Sequence, residues 1–271
     1  GRRGAAAAPA AAATRRRPLA RAALVAAATW TVLGGTSLRR QARGLAVELG
    51  AGDVSAARRR LPNLCGRDPS TLDASELSRA TVESVGENTA DAVVGPLVWG
   101  AVAGLPGLIG YRVVNTLDAM VGHRSPRYAH FGTASARADD VANLVPSRLT
   151  AALATIAAPV VDGSPATAAA AWFRDGHRHP SPNAGPVEAA FAGALGVRLG
   201  GRNAYAGRVE DRPTLGDGPR PSVADIERAA RLSAVVSGLA LAVCVGWRLS
   251  AGLRSRRGVH YGSSGERARR A

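Results

Sequence analysis

Four uncharged, mostly apolar stretches interrupt an otherwise polar sequence, at residues 22–38, 92–111, 149–161 and 232–247. Only the second stretch, with 20 residues, is as long as the helix of about 20 residues that crosses a bilayer. The first and fourth are shorter, although flanking arginines can extend to the interface. The third predicts an interfacial, re-entrant or buried helix. Because alternating strand patterns are absent, the sequence predicts an all-α, polytopic membrane protein with helical juxtamembrane segments.

The second stretch contains features that argue against one straight helix. Pro96 and Pro106 each remove a backbone donor, and a Gly-x-x-x-Gly pattern between them permits close helix packing. Four simple crossings would place the polar segments 79–91 and 112–148 on opposite faces of the membrane. Either the second stretch is re-entrant, which would keep these segments together, or one of the two segments is not catalytic. The proline and glycine content favours the re-entrant version.

The composition is that of a globular or membrane protein of one or two domains. The 271 residues are 46% hydrophobic, which excludes a wholly disordered chain, a collagen or a disulfide mini-protein. Cys65 and Cys244 form no zinc-binding pattern. A soluble protein with alanine-rich core helices is the alternative to a membrane protein, because alanine and glycine are only weakly apolar.

Arginine is concentrated at both ends of the chain. Residues 1–21 contain six arginines and no acid, and residues 248–271 contain seven arginines and one glutamate. The positive-inside rule therefore predicts a multi-pass membrane protein with both termini in the cytoplasm. We expect the lipid bilayer, and no nucleic acid, as the partner of these basic ends. The predicted organisation is a basic tail at 1–21, one helical membrane domain at 22–253 and a basic tail at 254–271.

The first candidate cluster for chemistry lies just before the second apolar stretch. In a helix, Arg79, Glu83, Glu87 and Asp91 recur at steps of four and share one face, with Asn88 beside them. Aligned carboxylates repel one another unless a cation lies between them, and Mg²⁺ prefers such oxygen ligands. The alternative is a solvated helix face that happens to be acidic.

The second cluster follows the same stretch. Arg112, Asn115 and Asp118 recur at steps of three, and Arg124 lies in the loop that follows. Arginine makes paired hydrogen bonds to carboxylate or phosphate. Contacts with lipid headgroups would explain the same arginines.

Two further clusters are weaker as patterns. Arg137 precedes Asp139, Asp140 and Asn143, an arrangement typical of a metal site or a helix N-cap. Asn183 lies in a turn before an alanine-rich helix. The glycines near residue 200 match no P-loop, and a chain without lysine has no Walker lysine, so any use of ATP requires another architecture.

These clusters lie in long segments that resemble a known family. The segments ESVGENTADAVVGPL, YRVVNTLDAMVGHRSPRYAHFGTASARADDVANLVPSRLTA and SPNAGPVEAAFAGALGVRLGG are similar to the CobD/CbiB family of cobalamin biosynthesis. The resemblance covers roughly residues 40–201. It implies a multi-pass enzyme of the cell (inner) membrane. The implied activity is that of an adenosylcobinamide-phosphate synthase, a ligase that uses ATP to join aminopropanol or its phosphate to the corrinoid cobyric acid as an amide.

The resemblance also implies roles for the clustered residues. ATP and Mg²⁺ would be the cofactors, and a corrinoid would be the substrate. The candidate catalytic residues are Glu83, Glu87, Asp91, Asp118 and Asp140. The candidate metal ligands are Glu87, Asp139 and Asp140. The candidate substrate-binding residues are Asn88, Arg112, Asn115, Arg124, Arg137, Asn143 and Asn183.

The sequence departs from the family at two places. Family members usually begin with an apolar segment that contains Gly-Asp-Pro and His-Pro motifs, whereas this chain begins with GRRGAAAAPA. An inactive, truncated ligase is therefore one expectation. Pro186 follows Asn-Ala-Gly where the family commonly has an aromatic residue. A corrinoid carrier or permease, or a non-catalytic subunit that assembles with other cobalamin-biosynthesis membrane proteins, is the alternative function.

Overall fold

Helices form most of the chain in a computed structural model, which describes residues 18–122, 129–205 and 208–267. The longer helices are α1 (Pro18–Val32), α2 (Gly35–Gly50), α3 (Val54–Arg60), α4 (Ala74–Thr89), α5 (Gly95–Leu117), α6 (Ala129–Ala157), α7 (Pro165–Asp175), α8 (Ala184–Leu195) and α9 (Val223–Arg267). Short 3-10 turns follow α3, α6 and α7, and π-helical turns follow α4 and α5. The predicted all-α membrane fold is confirmed.

Four helical stretches are long and apolar enough to cross a membrane, and the chain is a multi-pass membrane protein. They are Pro18–Gly50, Ala74–Gly122, Gly132–Val161 and Val223–Ala251. The third apolar stretch of the sequence is thus the end of a longer helix rather than a separate short one. Helix α9 continues through the basic segment to Arg267, so the described part of the predicted C-terminal tail is helical.

Helix α5 reverses direction at Gly104. The φ of 67° and ψ of −148° at this residue are accessible essentially only to glycine. After the turn, Tyr111 returns to Gly95, where an added Cβ would overlap the tyrosine ring. A straight helix would separate these residues by about 24 Å. The stretch 92–111 is therefore re-entrant, and the polar segments that flank it lie on the same side.

We expect Gly104→Ala to lower the free energy of unfolding by about 1–3 kcal/mol, because a Cβ at this φ and ψ strains the backbone. Thermal unfolding in detergent measures the change. Gly110→Ala is the matched control, since a Cβ at this helical position meets nothing within 4 Å. Equal stability of the two variants would contradict a glycine-dependent reversal.

Strands β1 (Leu199–Tyr205) and β2 (Arg208–Leu215) form an antiparallel hairpin with an irregular register between Leu199 and Gly201. The sequence predicts only a loop here, because polar residues and glycine obscure any alternation. The hairpin is held from outside: Arg79 of α4 donates to the carbonyl oxygens of Gly200 at 2.6 Å and of Arg202 at 2.9 Å. A tertiary contact thus stabilises strands that local preference does not favour.

Helix α8 lies at the centre of the molecule, and all twelve of its residues are buried. Its neighbours approach closely because small residues line the contacts. Gly86 of α4 lies against the ring of Phe191, and Gly193 lies against the backbone of α7 at Thr167 and Ala168. This packing places the first turns of α8 beside the polar faces of α4 and α6.

Candidate active site

Five carboxylates from distant parts of the sequence line one cavity of about 90 Å³, which we call the acidic cavity. Its acidic residues are Glu87, Asp91, Asp118, Asp139 and Asp140, and its neutral polar residues are Asn143, Ser147, Ser181 and Asn183. Glu87 comes from α4, and Asp91 and Asp118 come from the π-helical turns on either side of the re-entrant hairpin. The reversal at Gly104 therefore brings together two of the predicted clusters.

Asp139 is held by two amides. Asn143 Nδ2 donates to one carboxylate oxygen at 2.9 Å, and Asn115 Nδ2 donates to the other at 3.3 Å. Tyr111 donates its hydroxyl proton to Asn143 Oδ1 at 2.7 Å, and Arg112 donates to Asn115 Oδ1 at 3.2 Å. Of these supporting side chains, only that of Asn143 lines the cavity. The others orient the amides that hold Asp139.

Asn183 joins the start of α8 to helix α6. Its Nδ2 donates to the carbonyl oxygen of Asp140 at 2.8 Å. Its Oδ1 accepts from Ser147 Oγ at 3.1 Å and from Arg148 Nη1 at 2.8 Å. A buried carboxamide with these partners fixes the wall of the acidic cavity.

Glu83 lies outside the acidic cavity, although it is one turn before Glu87. Its carboxylate pairs with Arg67 at 2.5 Å and with Arg79 at 3.2 Å, and it accepts from the backbone N–H of Gly200 at 2.7 Å. All three charged side chains are buried. The structure therefore places Glu83 in an ion-pair network between α4 and the β-hairpin.

Among the described residues, the predicted Asn88 and Arg137 do not line the acidic cavity either. Asn88 donates to the carbonyl oxygen and hydroxyl of Ser84, within its own helix. Arg137 is exposed on α6. Arg124 lies outside the described residues.

Glu188 of α8 is a buried acid to which the sequence assigns no role. It is 2% exposed and is the acidic residue of the SPNAGPVE segment. Burial raises the pKa of Glu188 well above its usual range, and the nearby charges of Glu83 and Glu87 raise it further, against the opposite effects of Arg212 and Arg67. The feature of the sequence that could have indicated this residue is an acid inside an alanine-rich helix. Acidic side chains are almost never fully buried unless they are paired.

The raised pKa of Glu188 predicts a pH-dependent stability. The folded state favours the protonated form of Glu188. The contribution of this group to the free energy of unfolding is therefore present at low pH and is lost as the pH rises through the folded-state pKa. Because glutamine does not ionise, Glu188→Gln does not lose this stability as the pH rises. We expect the variant to gain stability relative to the original chain more at about pH 9 than at about pH 5. Thermal unfolding in detergent at both values measures this, and an equal difference at the two would contradict it.

The carboxylates suit a cation that is shared with a substrate better than a metal held by protein alone. Among the residues that the structure describes, no group of three or more His, Cys, Asp or Glu side chains is arranged to hold a metal ion. Mg²⁺ usually binds through one or two carboxylates, with water and substrate phosphates as its other ligands. Glu87 and Asp140 fit this pattern, because their carboxylates accept no hydrogen bond from the described residues.

Comparison with known proteins identifies the family. A family model for the CobD/Cbib protein matches residues 4–233. A protein named cobalamin biosynthesis protein CobD, from Mycobacterium tuberculosis (strain CDC 1551 / Oshkosh), is 59% identical over 223 residues, which are 82% of this chain and 71% of that protein. Proteins of the same name from Geobacter metallireducens and Rhodobacter capsulatus are 46% and 48% identical, over 80% and 75% of this chain and 69% and 64% of their own lengths.

No solved structure gives a significant match to the chain. The matched range nevertheless includes every residue that lines the acidic cavity. The site therefore lies within the part of the chain that is similar to these relatives. The chain belongs to the CobD/CbiB family of cobalamin biosynthesis.

Proposed function

We propose that this protein is an ATP-dependent ligase that joins aminopropanol, or its phosphate, to cobyric acid as an amide. The observation that carries the proposal is the acidic cavity, in which five carboxylates from three segments meet. Such a cavity attracts a cationic amine and can accept a proton from it. Membership of a cobalamin-biosynthesis family supports a corrinoid as the other substrate.

The amine side of the reaction requires a base. An ammonium group has no lone pair, so it must lose a proton before it attacks an activated carboxyl group. Glu87 and Asp140 line the cavity, and their carboxylates accept no hydrogen bond from the described residues. We assign them to binding the ammonium and removing its proton, with Asp91 and Asp118 as further charges that attract it.

The residues also fit Mg²⁺ brought in with a nucleotide. The ion would neutralise phosphate charge during activation of the carboxylate. Of the predicted metal ligands Glu87, Asp139 and Asp140, one or two would hold it, with the substrate phosphates as its other ligands. Asn115, Asn143 and Arg112 keep the Asp139 carboxylate in place through the hydrogen bonds described above.

The basic ends of the chain support an orientation in the cell membrane. Arginines at residues 1–21 and 248–271 favour cytoplasmic termini. The exposed guanidinium of Arg137, on the helix that carries Asp139 and Asp140, is available to an anionic group of a substrate.

The test is a reconstitution of the purified chain in lipid vesicles with cobyric acid, ATP and Mg²⁺. Aminopropanol and aminopropanol phosphate are supplied in separate reactions, and products are identified by mass. We expect an amide product that depends on ATP. Uptake of cobyric acid without an amide product would support a carrier instead, and neither product nor uptake would favour a non-catalytic subunit.

A further inference from the structure

A groove of about 610 Å³ runs along the re-entrant hairpin of α5, between α1 and α9. We call it the apolar groove. Its wall on α9 consists of Leu241, Val245 and Leu249, which recur at steps of four on one face of the helix and are all exposed. Among the described residues, no acid lines the groove, and no residue lines both the groove and the acidic cavity. The groove is therefore separate from the candidate active site.

Helix α1 brings an arginine to the end of the groove where the hairpin reverses. The backbone N–H of Gly34 donates to the carbonyl oxygen of Ala92 at 3.0 Å, so the C-terminal end of α1 lies at the base of the hairpin. Arg21 is about 20 Å away from this contact along the helix. It lines the groove together with Gly104, the residue at the tip of the hairpin.

Helix α9 brings a second arginine to the same end. Thr89 Oγ1 donates to Ser233 Oγ at 2.7 Å, which places this part of α9 beside the base of the hairpin. Arg248 is about 22 Å further along α9, and it also lines the groove. Guanidinium groups from two helices therefore border the groove near the tip of the hairpin.

Neither arginine has a counter-charge within the part of the chain that the structure describes. The side chains of Arg21 and Arg248 are exposed, and they form no hydrogen bond or ion pair with a described residue. A phosphate accepts paired hydrogen bonds from guanidinium groups. Basic pockets between transmembrane helices bind the headgroups of anionic lipids in this way. The charge and the apolar walls together match a molecule with a phosphate at one end and a hydrocarbon chain at the other.

The packing of α1 indicates that this groove is covered in the membrane. None of the residues of α1 is buried, although the helix is part of a candidate membrane span. About ten residues of a helix, a cylinder about 10 Å across and about 15 Å long, occupy about 1,200 Å³. This is roughly twice the volume of the groove, so a helix would fit only partly, whereas one flexible acyl chain can follow the groove along its length.

We propose that the apolar groove binds one anionic phospholipid. Its acyl chain lies along Val245 and the hairpin, and its phosphate lies between Arg21 and Arg248. The bound lipid stabilises the folded chain, because it fills the space between α1 and the hairpin. The proposal does not depend on the ligase proposed above, since the groove and the acidic cavity share no lining residue.

The test is native mass spectrometry of the full chain in detergent, with dioleoyl-phosphatidylglycerol or dioleoyl-phosphatidylcholine added. The two lipids have the same acyl chains, so a difference in Kd reports on the charge of the headgroup. We expect one phosphatidylglycerol per chain to bind more tightly than phosphatidylcholine. In Arg21→Gln and in Arg248→Gln, the Kd for phosphatidylglycerol should rise about tenfold or more, the loss typical of one hydrogen bond to a charged group.

Arg40→Gln is the control for the two arginine variants. Arg40 is also exposed and follows the same apolar stretch, 22–38, at its other end, but it does not line the groove. Its substitution should leave the Kd for phosphatidylglycerol unchanged.

Val245→Trp tests the part of the site that holds the acyl chain. The larger side chain fills the groove, so the Kd should rise for both lipids. Val243→Trp is the matched control, because Val243 lies on the same helix and is 47% exposed, as Val245 is, but does not line the groove. Thermal unfolding of each variant shows whether it folds, and the two exposed arginines carry the test if Val245→Trp does not fold.

Several results would overturn the lipid site. Equal Kd values for the two lipids, or a preference that survives in both arginine variants, would show that these arginines do not bind the headgroup. Glycerophosphoglycerol has the headgroup without acyl chains, and its binding with the Kd of the whole lipid would show a site for an anion alone. An unchanged Kd in Val245→Trp would place the acyl chain elsewhere. A dimer that Val245→Trp dissociates and that added lipid does not would assign the groove to a second copy of the chain.

Discussion

Glu87→Gln should lower the rate of amide formation by at least about 100-fold, the contribution typical of a general base. The substitution keeps the size of the side chain and removes its charge and its ability to accept a proton. Glu87 is exposed to the acidic cavity, and its carboxylate accepts no hydrogen bond from a described residue. Folding should therefore be unaffected, which thermal unfolding in detergent checks beside the vesicle assay.

Glu227→Gln is a suitable control for this loss. Glu227 forms an ion pair with Arg43 on the surface, where both side chains are about half exposed, and such pairs contribute little to stability. We expect turnover close to that of the original chain. If Glu87→Gln also retained near-normal turnover, Glu87 would have no role in the chemistry, and Asp140 would be the remaining candidate base.

Glu83→Gln should instead lower the free energy of unfolding by about 3–5 kcal/mol, the cost of breaking a buried ion pair. The charge of Glu83 lies between Arg67 and Arg79, and all three side chains are buried. Without the carboxylate, two buried guanidinium groups lose their shared counter-charge, and the backbone N–H of Gly200 loses a charged acceptor. Denaturant unfolding in detergent measures the change.

The comparison of Glu83 with Glu87 separates structural from catalytic carboxylates. The protein that remains folded in Glu83→Gln should retain turnover per folded molecule, whereas Glu87→Gln should be stable and inactive. The reverse pattern, a stable but inactive Glu83→Gln, would restore Glu83 as a catalytic residue. Glu227→Gln is again the control, because it breaks an ion pair on the surface rather than a buried one.

Much of the acidic cavity could be predicted from the sequence. The cavity is lined by Glu87, Asp91, Asp118, Asp139 and Asp140, all of which lie in segments that resemble the family. Helical periodicity indicates which side chains share a face, and the long apolar stretches indicate a membrane protein. These are local properties, so a sequence carries them directly.

Other features depended on contacts between distant residues. Glu83 and Glu87 share a face of α4, yet only Glu83 is covered, because the β-hairpin more than a hundred residues later packs over it. The partners of Asn183 lie on α6, some forty residues earlier. No local pattern specifies such partners, since the burial of a charge depends on what packs against it.

The sequence by itself determined the membrane class, the family and the set of carboxylates, because these depend on composition, periodicity and motif. Only the tertiary structure decided that the stretch around Gly104 turns back, so that the acids before and after it share one cavity. It also decided that the β-hairpin covers Glu83, whereas Glu87 faces the acidic cavity. The physical reason is that charges act through space, and their distances are set by how the helices pack rather than by their order along the chain.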